Sequence, residues 1–189
     1  MNLIIRFLWA LLKAKRSPQV NPWDTTRTSF RVRLRDLDLL RHMTNSAYFR
    51  VLDLARIDLV VRSGYWAHQR RRNLVGVVAN QTITYRKSLK WRDKFQVETR
   101  IAGIDEKAVY YEHRFIVRGE IYAQALARVR FIKTGVGTVP MSEVMIEGDD
   151  VPPDRLLQPW IRDWAANTAL PPAKQAVRES PLNERRAAD

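Results

Sequence analysis

Cysteine is absent from the 189 residues, which excludes disulfides, thiol nucleophiles and thiolate metal sites, so any chemistry must run on oxygen and nitrogen. Histidine is nearly as scarce. His42, His68 and His113 are the only three, far apart and in no His-x-x-x-His arrangement, which argues against a zinc centre. There is no G-x-S-x-G elbow and no G-x-x-x-x-G-K-[ST] phosphate loop, so the common hydrolase and nucleotidase signatures are missing too. With only seven glycines and 46% apolar residues, neither a fibrous repeat nor a disordered bulk fits, and one globular domain with tails is expected.

Acid is scarce in the first half. Residues 1–100 carry 21 Lys and Arg against 7 Asp and Glu, whereas residues 101–189 carry 12 against 13, within a net charge of +13. Such a field favours nucleic acid, anionic lipid headgroups or the phosphates of a ligand such as coenzyme A. Nucleic acid ranks last and is not expected as a partner, because the aromatic residues are not interleaved with the arginines as a stacking platform.

The apolar start, "MNLIIRFLWALLKAKRSP", would be roughly 15 Å of helix from Leu3 to Leu12, about half of a hydrocarbon core. It is too short to span, and a basic cluster stands where a secretory signal would place a cleavage site. Two readings stay open: an interfacial anchor through residues 1–16, with Trp9 and basic flanks, or a helix packed on its own domain or a sister subunit. The expected location is cytoplasmic, with membrane association as the alternative.

In "TSFRVRLRD", Phe30, Val32 and Leu34 alternate with Arg31, Arg33 and Arg35, which predicts a half-buried strand. From Thr44 to Arg62 the period becomes three and four, predicting a helix buried on most of its circumference, capped by Thr44 or Asn45 and ended by Gly64. Residues 74–134 give four strand-like runs with short breaks, which predicts antiparallel hairpins. "PPDRLLQPWIRDWAANTA" reads as helical but interrupted at Pro159, and residues 171–189 lack a hydrophobic pattern and are expected to be disordered. The domain plan is therefore an N-terminal helix and linker over 1–22, a central domain over 23–147, a helical extension over 148–170 and a tail. One strand, one apolar helix and four strands make an α+β layout in which a curved antiparallel sheet wraps a central helix, the hot-dog arrangement. Its free sheet edges predict a homodimer or homotetramer.

"DLDLLRHMTNSAYFRVLDLAR" resembles the D-x-D-x-x-x-H-x-x-N-x-x-Y strand-to-helix signature of hot-dog thioesterases of the 4-hydroxybenzoyl-CoA type, most of all the branch that holds thioesterase superfamily member 6 and its bacterial relatives. The similarity runs from about Arg33 to about Lys133. It implies hydrolysis of a fatty or aromatic acyl-CoA, with no cofactor beyond the coenzyme A of the substrate, or else a non-catalytic thioester-binding or membrane-associated protein. By motif position Asp38 is the nucleophile or general base, and Asn45 lies where a backbone N–H serves as oxyanion donor. Asp36 is expected to be structural, paired with neighbouring arginines or loop amides.

Each of these residues also has a plain structural role open to it. For Asp38 the alternative is a loop residue or one that stabilises the helix dipole. His42 could act as acid or base or merely tie the loop, and Tyr48 could line a pocket or fill the core. Acyl-carrier-protein thioesterases carry asparagine two places after the acid where this chain has Leu40, so an aspartate with backbone donors is preferred to an Asp-Asn-His machine. Asn80 and Gln81 interrupt an apolar strand and could reach the site across a dimer interface. Arg86, Lys87, Lys90 and Arg92 around Trp91 are candidate phosphate and adenine contacts, and "HQRRRN" is a second basic cluster of the same ambiguity.

Overall fold

Residues 3–170 are described by the computed structural model, and the first of them form α1, Leu3–Arg16, whose last turn places Lys13, Lys15 and Arg16 at the negative end of the helix dipole. One face of α1 is packed: Ala14 is buried and the Phe7 ring meets Trp66 at 6.1 Å. The opposite stripe, Ile5, Leu8, Trp9 and Leu12, is at least half exposed. Both readings of this segment therefore keep a physical basis, one on each face. Among the described residues no helix is long and apolar enough to cross a membrane.

Strand β1 covers Thr26–Arg31, shorter than the alternation predicts. Asp36 ends it. Its buried carboxylate accepts the Arg33 amide at 3.1 Å, which curls Leu34–Asp36 into a 3₁₀ turn and leaves Leu34 exposed rather than inward. Helix α2, Asn45–Arg62, then starts under Thr44, whose hydroxyl accepts the Ala47 amide at 3.2 Å. Ser63 closes it and Gly64 turns the chain at φ 84°, a left-handed conformation that glycine adopts without strain. A short helix not foreseen from the sequence, α3, follows at Tyr65–Arg71 and absorbs most of the second basic cluster.

Five long and short strands complete the sheet: β2 Leu74–Tyr85, β3 Lys94–Ile104, β4 Val109–Val117, β5 Glu120–Lys133 and β6 Gly137–Val139. The order is β1-β3-β4-β5-β2, all neighbours antiparallel, with β6 also on β5. β3, β4 and β5 are the predicted hairpins. The β4–β5 turn is two residues, Arg118 at φ 50° and Gly119 at φ 85°, the double left-handed turn that suits strand twist. The expected β2–β3 hairpin does not form. Instead the chain crosses to the far side of the sheet because Leu89 is held at the start of α2, its amide on the Tyr48 hydroxyl at 3.2 Å and its carbonyl accepting Met43 N–H at 2.8 Å.

The sheet's inner face packs on α2, giving the α+β hot-dog arrangement. Val51, Leu52 and Ala55 of the helix meet Val97, Phe115, Ala123 and Ala125, the alanines of β5 leaving room for the helix to approach. A second cluster gathers round Leu59, Tyr111, Val129 and Phe131. Full burial of a side chain such as Leu52 stabilises the fold by about 1.5–3 kcal/mol. Gly103 is held close to the chain's later course, since a Cβ there would lie 2.8 Å from Leu157 Cα.

The described residues divide into two compact units between Leu157 and Gln158. In the second, α4 runs Pro159–Asn167 with Pro159 in its first turn, where a missing amide costs nothing. A separate 3₁₀ turn at Pro153–Arg155 precedes it, so the interruption predicted at Pro159 is a helix start. The tail expected over 171–189 lies outside the described residues.

Candidate functional site

One backbone bond and one side-chain bond build the loop that carries Asp38. Its amide donates to His42 O at 2.8 Å, and its Oδ1 accepts His42 N–H at 2.9 Å. The loop role is thus met by one carboxylate oxygen, while Oδ2 has no protein partner among the described residues. Asp38 is exposed, as are Leu39 and Leu40 beside it.

Asp36, two residues earlier, is a different kind of acid. It is 2% exposed, and Arg6 of α1 and Arg50 of α2 approach its Oδ1 at 3.5 and 3.7 Å, while its carbonyl accepts Thr44 N–H at 2.8 Å. That carboxylate ties α1, the 3₁₀ turn and α2 together, the structural part expected of it.

At the mouth of α2 the Thr44 hydroxyl satisfies Ala47, and the amides of Asn45 and Ser46 meet no protein acceptor among the described residues. Two free N–H groups at the positive end of an 18-residue helix form a donor pair for a developing oxyanion. Ser46 was not among the candidates from sequence; the signal was Thr44, since a capping hydroxyl that serves Ala47 leaves the two residues between without partners.

His42 brings the basic turn in. An isolated antiparallel bridge pairs His42 with Lys90, so the loop holding Asp38 and the turn from Arg86 to Asp93 lie side by side. Asp93 Oδ2 caps that turn by accepting Lys90 N–H at 2.8 Å, and Arg92 stacks its guanidinium 4.3 Å from the centre of the half-exposed Trp91 ring. Lys87 is engaged with Glu120 at 2.6 Å, which raises its pKa through that hydrogen bond, and it lies over Tyr122.

Of the remaining candidates, Tyr48 fills the core: it is 2% exposed, stands edge-on to Tyr85 and Phe115, and spends its hydroxyl on Leu89. Of the two roles open to it, core filling describes this placement. Burial pushes its phenol pKa up. Asn80 and Gln81 sit in mid β2, opposite Arg128 and Ala127. Gln81 Oε1 is buried without a partner among the described residues. His68, in α3, lies in neither the Asp38 loop nor the turn from Arg86 to Asp93.

Sequence reasoning also passed over Arg56, on the inner face of α2. Its Nη1 reaches Asp53 at 3.4 Å, its Nε and Nη2 are buried without partners among the described residues, its guanidinium lies 5.6 Å from the Tyr111 ring, and desolvation lowers its pKa. Nearby, His113 is fully buried with Nδ1 2.9 Å from Thr99 Oγ1, and desolvation followed by Arg56 depresses its pKa well below the ordinary value. Among the described residues no group of three or more His, Asp or Glu side chains is disposed to hold a metal ion. Cavities of 630 and 290 Å³ elsewhere in the fold are not lined by Asp38, His42 or Asn45.

Comparison with known proteins gives one consistent picture. A family profile described as the thioesterase-like superfamily matches residues 32–161. Protein THEM6 of Danio rerio is 34% identical over 160 residues, covering 82% of this chain and 75% of that one. Among solved structures, the probable thioesterase YbaW of Escherichia coli superposes with a TM-score of 0.59 at 23% identity, over 61% of this chain and 90% of that one. The gentisyl-coenzyme A thioesterase BH1999 superposes with a TM-score of 0.57 at 18% identity, over 66% and 98%.

Proposed function

This chain belongs to the thioesterase-like superfamily, and from that premise we propose that it hydrolyses fatty or aromatic acyl-CoA thioesters to the free acid and coenzyme A at the mouth of α2. The observation that carries the reading is the His42–Lys90 bridge. Beside it stand a carboxylate oxygen of Asp38 and the amides of Asn45 and Ser46, all without a protein partner among the described residues, and the cations Arg86, Lys90 and Arg92 of the basic turn.

In this reading Asp38 Oδ2 takes a proton from water as the water oxygen attacks the thioester carbon. The carbonyl oxygen becomes an oxyanion held by the α2 amides, the C–S bond then breaks, and the proton passes from Asp38 to the departing thiolate. Should Asp38 attack directly, a mixed anhydride forms with loss of thiolate and water then cleaves it, leaving ¹⁸O from labelled water in Asp38 where it attacks the Asp38 carbonyl and in the product acid where it attacks the acyl carbonyl. The basic turn meets the phosphates of coenzyme A by charge-assisted hydrogen bonds, and Trp91 offers the face not covered by Arg92 to adenine.

The working species is a homodimer or homotetramer. Supporting this, the outer edge of β2 pairs with no strand among the described residues, Val75 and Val77 stand exposed on it, and Leu39 and Leu40 expose apolar surface beside Asp38. A second copy over these surfaces would close the open Asp38 loop into a groove and could bring Asn80 and Gln81 to it.

The test is thiol release from a panel of acyl-CoAs by the wild type and Asp38→Ala. Equal rates remove Asp38 from the mechanism. Saturable acyl-CoA binding with no release across the panel selects the non-catalytic reading, for which the exposed stripe of α1 offers independent support as a membrane contact.

A further inference from the structure

One unexplained feature of the first unit is a 630 Å³ cavity bordered by α1, β1 and the start of β3. We propose that it is a second ligand site, separate from the Asp38 loop, that takes a single-chain anionic amphiphile: one acyl chain bearing a carboxylate or phosphate head.

Its wall has two chemistries. Trp9, Phe30, Leu54, Phe95 and Ile116 supply apolar surface from five different elements. Lys13, Arg31, Arg33, Lys94 and Arg118 surround it with cations, and none of these five forms an ion pair with a carboxylate among the described residues. The other charged lining groups are already answered, Arg6 by Asp36 at 3.5 Å and Asp58 by Arg62 at 3.0 Å. The cavity thus offers a net excess of unanswered positive charge around an apolar bed. A neutral lipid would leave that charge unused, and a small inorganic anion would leave the apolar bed empty.

Thr28 also lines the cavity, from the inner side of β1. The volume lies within the range of about 300–1,000 Å³ occupied by small-molecule sites. The site also stands apart from the dimer-forming surface proposed above: β1 and β2 are at opposite ends of the strand order.

The experiment is equilibrium binding to the full-length purified protein of three probes: palmitate in solution, monoacyl lysophosphatidate presented in neutral phosphatidylcholine vesicles, and neutral monoacylglycerol. Saturable binding of either anion, at least tenfold tighter than the neutral lipid, is expected, and whichever anion binds identifies a soluble acid or a membrane lipid as the source. Ala10→Trp, which fills the cavity from α1, and the surface pair Lys94→Glu with Arg118→Glu should each weaken binding tenfold or more. Asp38→Asn should bind the anion like the wild type, whatever its effect on thioester hydrolysis. The proposal is overturned if neither anion binds saturably, if the neutral lipid binds as well, or if the charge-reversed pair keeps wild-type affinity.

Discussion

Asp38 and His42 are joined twice, amide to carbonyl at 2.8 Å and carboxylate to amide at 2.9 Å. The two bonds use one side-chain oxygen and leave the other bare. Asparagine can keep the Oδ1 contact while losing the base, so Asp38→Asn separates loop architecture from chemistry. Thiol release should fall by roughly 100- to 10,000-fold with the melting temperature close to wild type; a variant that hydrolyses at the wild-type rate would leave the loop as mere scaffolding.

Tyr48 and Leu89 hold the crossover. Removing the hydroxyl in Tyr48→Phe leaves the buried Leu89 amide without its acceptor, at a cost of about 1–3 kcal/mol. Urea denaturation should show a lower midpoint with an unchanged slope.

Asp36 is buried between two arginines and a backbone amide. Asp36→Ala leaves Arg6, itself largely buried, without its counter-charge, and destabilisation of about 3 kcal/mol is expected. Chemical denaturation measures it, and a loss under 1 kcal/mol would mean that water already screens the pair.

His113 sets a pH dependence. Burial and Arg56 hold its pKa well below 6.5, so the folded protein keeps the ring neutral while the unfolded chain takes up a proton. Its contribution is complete above about pH 6.5 and is lost as pH falls, by about 1.4 kcal/mol per unit until the folded ring itself titrates. Comparing unfolding free energies at about pH 7 and pH 5.5, His113→Gln should flatten the decline by about one proton.

The exposed stripe of α1 predicts lipid contact. Trp9→Glu with Leu12→Glu should reduce partitioning to anionic vesicles, while the basic end, at about 1 kcal/mol per cation near such a surface, makes the remaining binding salt-sensitive. Sedimentation with vesicles decides it, and unchanged partitioning would assign the stripe to protein contacts instead.

What the sequence made readable followed from periodicity. The three-and-four spacing of Tyr48, Val51, Leu52, Ala55 and Leu59 places α2, and the alternations after Lys94 place β3 to β5, because both patterns report burial directly. Leu34 defeated the same rule because a carboxylate two residues on captures the Arg33 amide, a competition no alternation reveals. The short break after β2 reads as a hairpin to β3 unless one knows that Tyr48, some forty residues upstream, pins Leu89. α3 lay hidden among arginines and a glutamine with few apolar positions. At the site, Asp38, Asn45 and the basic turn were visible as residue types. The His42–Lys90 bridge that makes them neighbours is a backbone pairing, and side-chain identities do not encode it.

The reach of Arg6 across to Asp36 also bears on how the protein is handled in the laboratory. A shortened version lacking the first sixteen residues, the obvious choice for improving solubility, would discard a counter-ion that the buried carboxylate two residues before Asp38 leans on. Loss of turnover in such a version would then report a disturbed loop as readily as a missing lipid tether, whereas point changes on the outward stripe leave that clasp in place.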